Sequence, residues 1–318
     1  MGKLPVGVLV GPTASGKTAL SIGIAKALGA EIVSADSIQV YRGLDIGSAK
    51  PTAQDMEGVP HHMLSVAELT DAKFSVAEYK RQAEAAIVDI HARGRFPLVV
   101  GGTGLYVNAL TTALNFAEVP PDEALRAELR RAEEAAPGKL YALLQAEDPA
   151  CAQRLHPHDS KRIIRALEVV RRTGKPIGEH GVGFAQSSLS EAIPFRPIMA
   201  GLTLPRETLY ARINARVDAM LQNGLEEEAL SIYRQGCPPA LPALQGLGYR
   251  QLFLYFGGAC TRAEAIEAIK RETRHFAKRQ ITWFKRDARI RWFDVTQYAP
   301  QELRQRLCQL FKEEIAHG

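Results

Sequence analysis

With 318 residues, 46% of them hydrophobic and 7% aromatic, the chain is long enough for a full α/β core and one smaller domain, and its composition is that of an ordinary soluble protein. No apolar stretch approaches the roughly 20 residues that span a bilayer, and the first strand starts too near the N-terminus to leave a signal peptide, so the cytoplasm is the expected compartment. The net charge of +5 permits a nucleic-acid partner without requiring one, and four cysteines set far apart (Cys151, Cys237, Cys260, Cys308) are expected as free thiols, not as disulfides or a zinc site.

The apolar run 6–10 predicts a buried strand. Directly after it, Gly11-Pro12-Thr13-Ala14-Ser15-Gly16-Lys17-Thr18 fits the phosphate-binding loop pattern G-x-x-x-x-G-K-[ST], and residues 17–28 carry apolar positions at helical spacing. In a strand–loop–helix setting the backbone N–H groups form an anion nest at a helix N-terminus. Lys17 adds a point charge, and the Thr18 hydroxyl suits a Mg2+ ion shared with the phosphates. Residues 30–35 predict a strand ending at Asp36, 75–94 a helix with a glycine stop, and 97–100 a third strand after which Gly101-Gly102-Thr103-Gly104 opens another helix. Strands alternating with helices predict a doubly wound, mainly parallel sheet.

From residue 120 to about 173 only helical signals occur, at 122–135, 139–146, 149–155 and 160–173, followed by a Gly/Ser-rich stretch, 174–190. Residues 195–204 again read as a strand. Then come an amphipathic helix at 206–223, a shorter one to Gln235, a Pro/Gly loop through Tyr249, a long basic helix at about 261–286, a last strand at 290–293 and a terminal helix. The expected fold is α/β: a P-loop core made of 1–114 and 195–318, interrupted by an all-helical insertion domain at 115–194. Nothing in the pattern demands more than a monomer.

A phosphate-binding loop usually serves a nucleoside triphosphatase or a kinase, both of which need companion residues. The strand 97–100 ends in glycines and a hydroxyl without a carboxylate, there is no N-K-x-D for guanine, and no Gln is placed to orient a water. Asp36 is the one good carboxylate candidate. It can serve as an indirect magnesium ligand, as a general base beside the phosphate loop, or as a simple cap of the turn that follows. Adjacent His61 and His62 point apart in most backbones and have no Cys/His partner nearby, so they are expected to be structural.

The segment Ser34-Ala35-Asp36-Ser37-Ile38-Gln39-Val40-Tyr41-Arg42-Gly43-Leu44-Asp45-Ile46-Gly47-Ser48-Ala49-Lys50-Pro51 narrows the choice. Together with the phosphate loop before it, and Gly58-Val59-Pro60-His61-His62 and Gly101-Gly102-Thr103-Gly104-Leu105-Tyr106 after it, the chain resembles the bacterial tRNA dimethylallyltransferases. Lys161-Arg162-Ile163-Ile164-Arg165-Ala166-Leu167-Glu168, Gln245-Gly246-Leu247-Gly248-Tyr249-Arg250-Gln251 and Lys278-Arg279-Gln280-Ile281-Thr282-Trp283-Phe284 agree, so the resemblance runs from Val6 to roughly Phe293. Ser48 is one departure: the family more often has Thr there, and a hydroxyl is kept.

The resemblance implies transfer of a dimethylallyl group from dimethylallyl diphosphate to N6 of the adenine just 3′ of the anticodon, with pyrophosphate leaving. Asp36 would accept the N6 proton, Thr103 would stand at the reacting centre, and Gly11, Thr13, Ala14, Ser15, Gly16, Lys17 and Thr18 would hold the diphosphate. Arg212 and Arg216, four residues apart on one helix face, offer a clamp for it; Arg216 is favoured, and a solvated face is the alternative. The implied tRNA-binding set is Asp36, Ser37, Ile38, Gln39 and Thr103 around a flipped-out adenine, then Ser160, Lys161, Arg162, Ile163, Ile164 and Arg165 on the insertion, and Gly248, Tyr249, Arg250, Arg279 and Gln280 from the core. Independently of the resemblance, nine Lys/Arg against two acids between Lys270 and Arg291 form an electrostatic track suited to RNA, with Trp283, Phe284 and Trp292 among them expected mainly in the core; the resemblance implies that its partner is a tRNA anticodon stem-loop. The competing readings are a small-molecule or nucleotide kinase, which lacks its lid-type arginines here, and a non-catalytic RNA-binding protein, which would not need Lys17, Thr18, Asp36 and Thr103 together.

Overall fold

The computed structural model describes residues 3–71, 74–114, 119–180, 193–239 and 241–316. Six parallel strands, β1 (Leu4–Val10), β2 (Ala30–Ala35), β3 (His61–His62), β4 (Phe96–Gly101), β5 (Phe195–Thr203) and β6 (Arg291–Asp294), form one sheet in the order β3-β2-β4-β1-β5-β6. Strand β1 lies inside this sheet and is covered on both faces, which is why it reads as an unbroken apolar run. Its residues still alternate. Val6, Val8 and Val10 join one core and Leu9 the other.

The thirteen α-helices of the described residues are, in chain order, α1 (Lys17–Leu28), α2 (Ala53–Met56), α3 (Val76–Ala92), α4 (Gly104–Thr111), α5 (Glu123–Ala135), α6 (Lys139–Glu147), α7 (Pro149–Ala152), α8 (Ser160–Thr173), α9 (Arg206–Gln222), α10 (Leu225–Arg234), α11 (Tyr249–Phe256), α12 (Arg262–Phe284) and α13 (Pro300–Ala316). Helices α1 and α13 cover one face of the sheet through Ile22, Ile24, Leu303, Leu307 and Phe311. On the other face, α3 and α4 bring Tyr79, Ile87, Ile90 and Val107, joined by Leu252 and Phe284 from α11 and α12. Tyr79 and Tyr106 stack with centroids 3.8 Å apart, and the Tyr79 hydroxyl donates to the Ser34 carbonyl, so the phenol is buried with its polar tip satisfied. No helix of the described residues is long and apolar enough to cross a membrane.

The backbone divides into two compact units, Met1–Thr111 with Pro194–Gly318, and Thr112–Ile193. The regular elements described in the second unit are all helical, with its own core of Leu129, Leu140, Leu144, Ile163, Leu167 and Val169. Residue 115, where the insertion is expected to begin, and residues 181–190 of the Gly/Ser-rich stretch lie outside the described residues.

One expectation changes, and one strand has no counterpart in the sequence reading. The region read as a Pro/Gly loop through Tyr249 contains a 3-10 turn, Pro242–Gln245, and leads into α11. Gly248, at φ +97°, turns the chain into that helix, and its N–H donates to Gln251 Oε1 at 3.0 Å. The two-residue strand β3 pairs with Ile32 and Val33, but two residues are too short to show any period.

Candidate active site

Strand register assembles the site. Gly101 of β4 is paired with Val10 of β1 on one side and with Ala35 of β2 on the other. The next residues of the three strands, Gly11, Gly102 and Asp36, therefore leave the sheet side by side at its carboxyl edge. The order of the sheet places this edge at a topological switch point, since β4 lies between β1 and β2.

From β1 the chain enters the phosphate loop. Ala14 (φ +62°) and Gly16 (φ +91°) adopt left-handed conformations that turn successive amides inward. Among the described residues no acceptor takes the N–H groups of Gly16, Lys17 or Thr18, and the Ser15 hydroxyl is buried without a partner. Lys17 Nζ folds back onto the carbonyls of Gly11 (2.8 Å) and Pro12 (2.7 Å). Burial pulls its ammonium down to about 7; Arg216 pushes the same way and Asp36 opposes. Burial also lowers Arg216, again opposed by Asp36. Two cations and a row of open amides are thus gathered where, among the described residues, Asp36 supplies the counter-charge. An anion placed there would relieve both. Arg212, one turn earlier on α9, is exposed, which separates it from Arg216. Thr18 is exposed, and its hydroxyl makes no hydrogen bond among the described residues.

From β2 comes Asp36. Its Oδ1 accepts the N–H groups of Ile38 (2.9 Å) and Gln39 (3.3 Å), so the capping role weighed for it is real. Its Oδ2 accepts no hydrogen bond among the described residues. From β4 comes Thr103, whose N–H donates to the Ala35 carbonyl at 3.1 Å. Thr103 Oγ1 accepts the Ser37 N–H at 3.0 Å and donates to Ser37 Oγ at 3.3 Å. Asp36, Ser37 and Thr103 therefore form one hydrogen-bonded corner.

Several residues of the implied tRNA-binding set have other duties. The Gln39 amide accepts from Ser34 Oγ and donates to the carbonyls of Ser48 and Ala49, so it ties down the following turn. Ile163 and Ile164 belong to the core of the helical unit, because α8 turns its apolar face inward. Tyr249 is fully buried and its hydroxyl donates to Glu228 Oε1 at 2.6 Å; Gly248 is buried beside it. Burial, with Glu228 next in weight, raises the Tyr249 phenol far above its ordinary value. Gln280 is buried too, donating to the Gly102 carbonyl (2.9 Å) and accepting from the Thr13 N–H (2.8 Å). In this structure these residues are committed to packing and hydrogen bonds within the protein.

Exposed members remain. Ile38 and Ser37 are half-buried beside Asp36, Arg250 is exposed at the start of α11, and Lys161 and Arg162 are exposed on α8. Ser160, half-buried, opens that helix after its cap Asp159; Arg162 pairs with Asp159, and Arg165 pairs with buried Glu168 at 2.5 Å. On the basic track, Lys270 pairs with Asp218, Arg289 with Asp287 and Arg291 with Glu314. Lys278, Arg279, Lys285 and Arg286 are exposed and make no ion pair among the described residues; Arg279 lies over the Phe276 ring at 5.9 Å. Their spacing puts the four on one side of α12 and its end. Trp283 and Trp292 pack against the core and Phe284 is within it.

One support carries no signal in the sequence. Glu228 accepts the N–H groups of Asp45, Ile46 and Gly47, partners too distant along the chain for a local pattern to reveal. Lys50 Nζ, within the motif, donates to the Tyr41 carbonyl, Asp45 and Ser65, and together the two hold the segment that follows Asp36.

The sequence model of the family described as IPP transferase matches residues 39–287. A tRNA dimethylallyltransferase of Symbiobacterium thermophilum is 50% identical over 295 residues, covering 92% of this chain and 90% of its own. One of Geobacillus kaustophilus is 47% identical over 292 residues, with 92% and 90% covered. Among solved structures, a full-length tRNA isopentenylpyrophosphate transferase of Bacillus halodurans shares 39% identity at a TM-score of 0.72, covering 99% of this chain and 100% of that one. A eukaryotic dimethylallyltransferase acting on tRNA shares 27% identity at a TM-score of 0.82, covering 99% and 80%. With its parallel sheet, its phosphate loop and these relatives, the chain belongs to the IPP transferase family, the family of the tRNA dimethylallyltransferases.

Proposed function

We propose that this protein transfers the dimethylallyl group of dimethylallyl diphosphate to N6 of the adenine immediately 3′ of a tRNA anticodon and releases pyrophosphate. The observation that carries the reading is the pairing at one sheet edge of an open-amide phosphate loop, with Lys17 and Arg216 beside it, and a carboxylate, Asp36, with one oxygen uncommitted. An exocyclic amine is a weak nucleophile because its lone pair is delocalised into the ring. As the allylic C–O bond of the donor breaks, its electrons go to the diphosphate, and the N6 lone pair forms the new C–N bond. The N6 proton passes to Asp36 Oδ2. Loop amides, Lys17 and Arg216 stabilise the charge that grows on the leaving diphosphate, and Thr103 and Ser37 hold the Asp36 corner against the base.

The transfer in this family is typically metal-assisted. Among the described residues no cluster of three or more His, Cys, Asp or Glu forms a metal cage, so a cation would rest on the Thr18 hydroxyl and the diphosphate oxygens, hard donors that suit Mg2+. Such an ion supplies charge neutralisation at the leaving group. Dimethylallyl diphosphate as donor, a monomer, and the cytoplasm as compartment belong to the same proposal.

The test is incubation of the protein and Mg2+ with unmodified tRNA and either allyl-labelled dimethylallyl diphosphate or γ-labelled ATP. Label passing from the diphosphate into RNA, and abolished by chelation until Mg2+ is restored, is expected. Transfer of phosphate from ATP to a small acceptor, with no label in RNA, would return the phosphate loop to the kinase reading.

A further inference from the structure

We infer that Gln280 is a positioning residue whose single side-chain amide links the diphosphate half of the site to the acceptor half. The inference rests on the function proposed above. Gln280 comes from α12, far along the chain from both loops, and its side chain is buried. Its carbonyl oxygen accepts the N–H of Thr13, inside the phosphate loop, at 2.8 Å. Its NH2 group donates to the carbonyl of Gly102 at 2.9 Å, directly before Thr103, which holds Ser37 beside Asp36. The two ends of one planar amide therefore fix the spacing between the loop that receives the leaving group and the corner that receives the nucleophile's proton.

The surroundings are fitted to this link. A methyl group at position 102 would overlap the Gln280 amide nitrogen, and one at 104 would overlap the Trp283 indole, one turn further on the same helix. The glycines of Gly101-Gly102-Thr103-Gly104 thus allow α12 to approach the loop closely. In-line displacement needs donor and acceptor aligned, and a misplacement of about 1 Å costs on the order of a hundredfold in rate. Gln280 touches neither reacting group, so its loss should appear in turnover and leave RNA affinity alone.

The test uses Gln280→Leu, which keeps the bulk and removes both hydrogen bonds, and Gln280→Glu, which keeps the acceptor for Thr13 and removes the donor to Gly102. Expected is a fall in kcat at saturating substrates of roughly 10- to 100-fold for Leu, with the tRNA dissociation constant in the absence of donor within about twofold of wild type. Glu should keep the wild-type donor KM and still lose turnover. A tRNA dissociation constant raised tenfold with kcat intact would make Gln280 an RNA contact and overturn the inference, as would full activity in both variants. A readout free of catalysis separates this from the proposed function: the Thr13 amide should exchange with solvent deuterium faster in the Leu variant and stay protected in the Glu variant. Unchanged Thr13 protection in the Leu variant overturns the link even if transfer to tRNA is observed; absence of transfer in the wild-type protein overturns the function and not the link. Should the Leu variant fail to fold by circular dichroism, the Glu variant alone decides by its KM and kcat.

Discussion

At the scale of the residue, the two oxygens of Asp36 have separate work. Oδ1 closes the turn onto Ile38 and Gln39, and in the proposed reaction Oδ2 takes the nucleophile's proton. Asp36→Asn keeps an acceptor for the turn and removes the base. It should lower the single-turnover transfer rate by about 100-fold or more while leaving tRNA affinity, by filter binding, within about threefold. Equal losses in both would mean that Asp36 positions RNA instead. Lys17→Met should raise the donor KM by about tenfold or more, since a loop amide nest without its point charge holds a diphosphate weakly; an unchanged KM refutes the contact. The phosphate loop and Asp36 were legible because each is a contiguous stretch whose chemistry is local. Glu228 was not, and Gln280 entered only through the resemblance, as an RNA contact, because the bonds both make depend on backbone groups that only the fold brings to them.

At the scale of the element, burial decides which charges are available. The basic run from α12 into β6 reads as one track in the sequence, yet Lys270, Arg289 and Arg291 are paired within the protein while Lys278, Arg279, Lys285 and Arg286 make no ion pair among the described residues. Lys278→Glu with Lys285→Glu should weaken tRNA binding and reduce the slope of log K against log salt by about two, as two phosphate contacts are lost. An unaltered slope would take this side of α12 out of the RNA interface. The helical periods of α1, α3, α8 and α12 were legible from spacing; the motif around them drew Ile163 and Ile164 into the tRNA-binding set, and the structure places both in the core of the helical unit. At the sheet edge, Glu31 of β2 joins His62 of β3 (2.7 Å) and Arg93 after α3. The Arg93 hydrogen bonds hold its carboxyl below the ordinary 4.5, against the opposing effect of burial and with help from His62. A depressed carboxyl contributes stability above the unfolded pKa and loses it as pH falls through the folded one. Glu31→Gln should therefore cost about 1 kcal/mol at pH 7, modest because Arg93 remains partly in water, and the gap to wild type should narrow as pH falls below the ordinary 4.5 and through the lower folded value. A gap in urea-melt midpoints that does not narrow on acidification would contradict this.

At the scale of the whole molecule, alternation of strands and helices announced a parallel sheet but not its order. That β4 enters between β1 and β2, and so brings Gly102 and Thr103 between the phosphate loop and Asp36, follows from long-range packing that no window of sequence contains. The helical character of residues 120–173 was legible, and the backbone divides at Thr112 and Ile193. The central claim is a chemical one: a dimethylallyl group is placed on one adenine of a folded RNA. It is tested most directly by incubating the protein with dimethylallyl diphosphate, Mg2+ and unmodified tRNA, digesting the RNA with a base-specific nuclease, and locating the added mass by tandem mass spectrometry. A single dimethylallyl mass on N6 of the adenine 3′ of the anticodon, absent when that base is guanine, is the result predicted here. The same mass on another nucleotide, or none in RNA while the diphosphate is consumed, would contradict it.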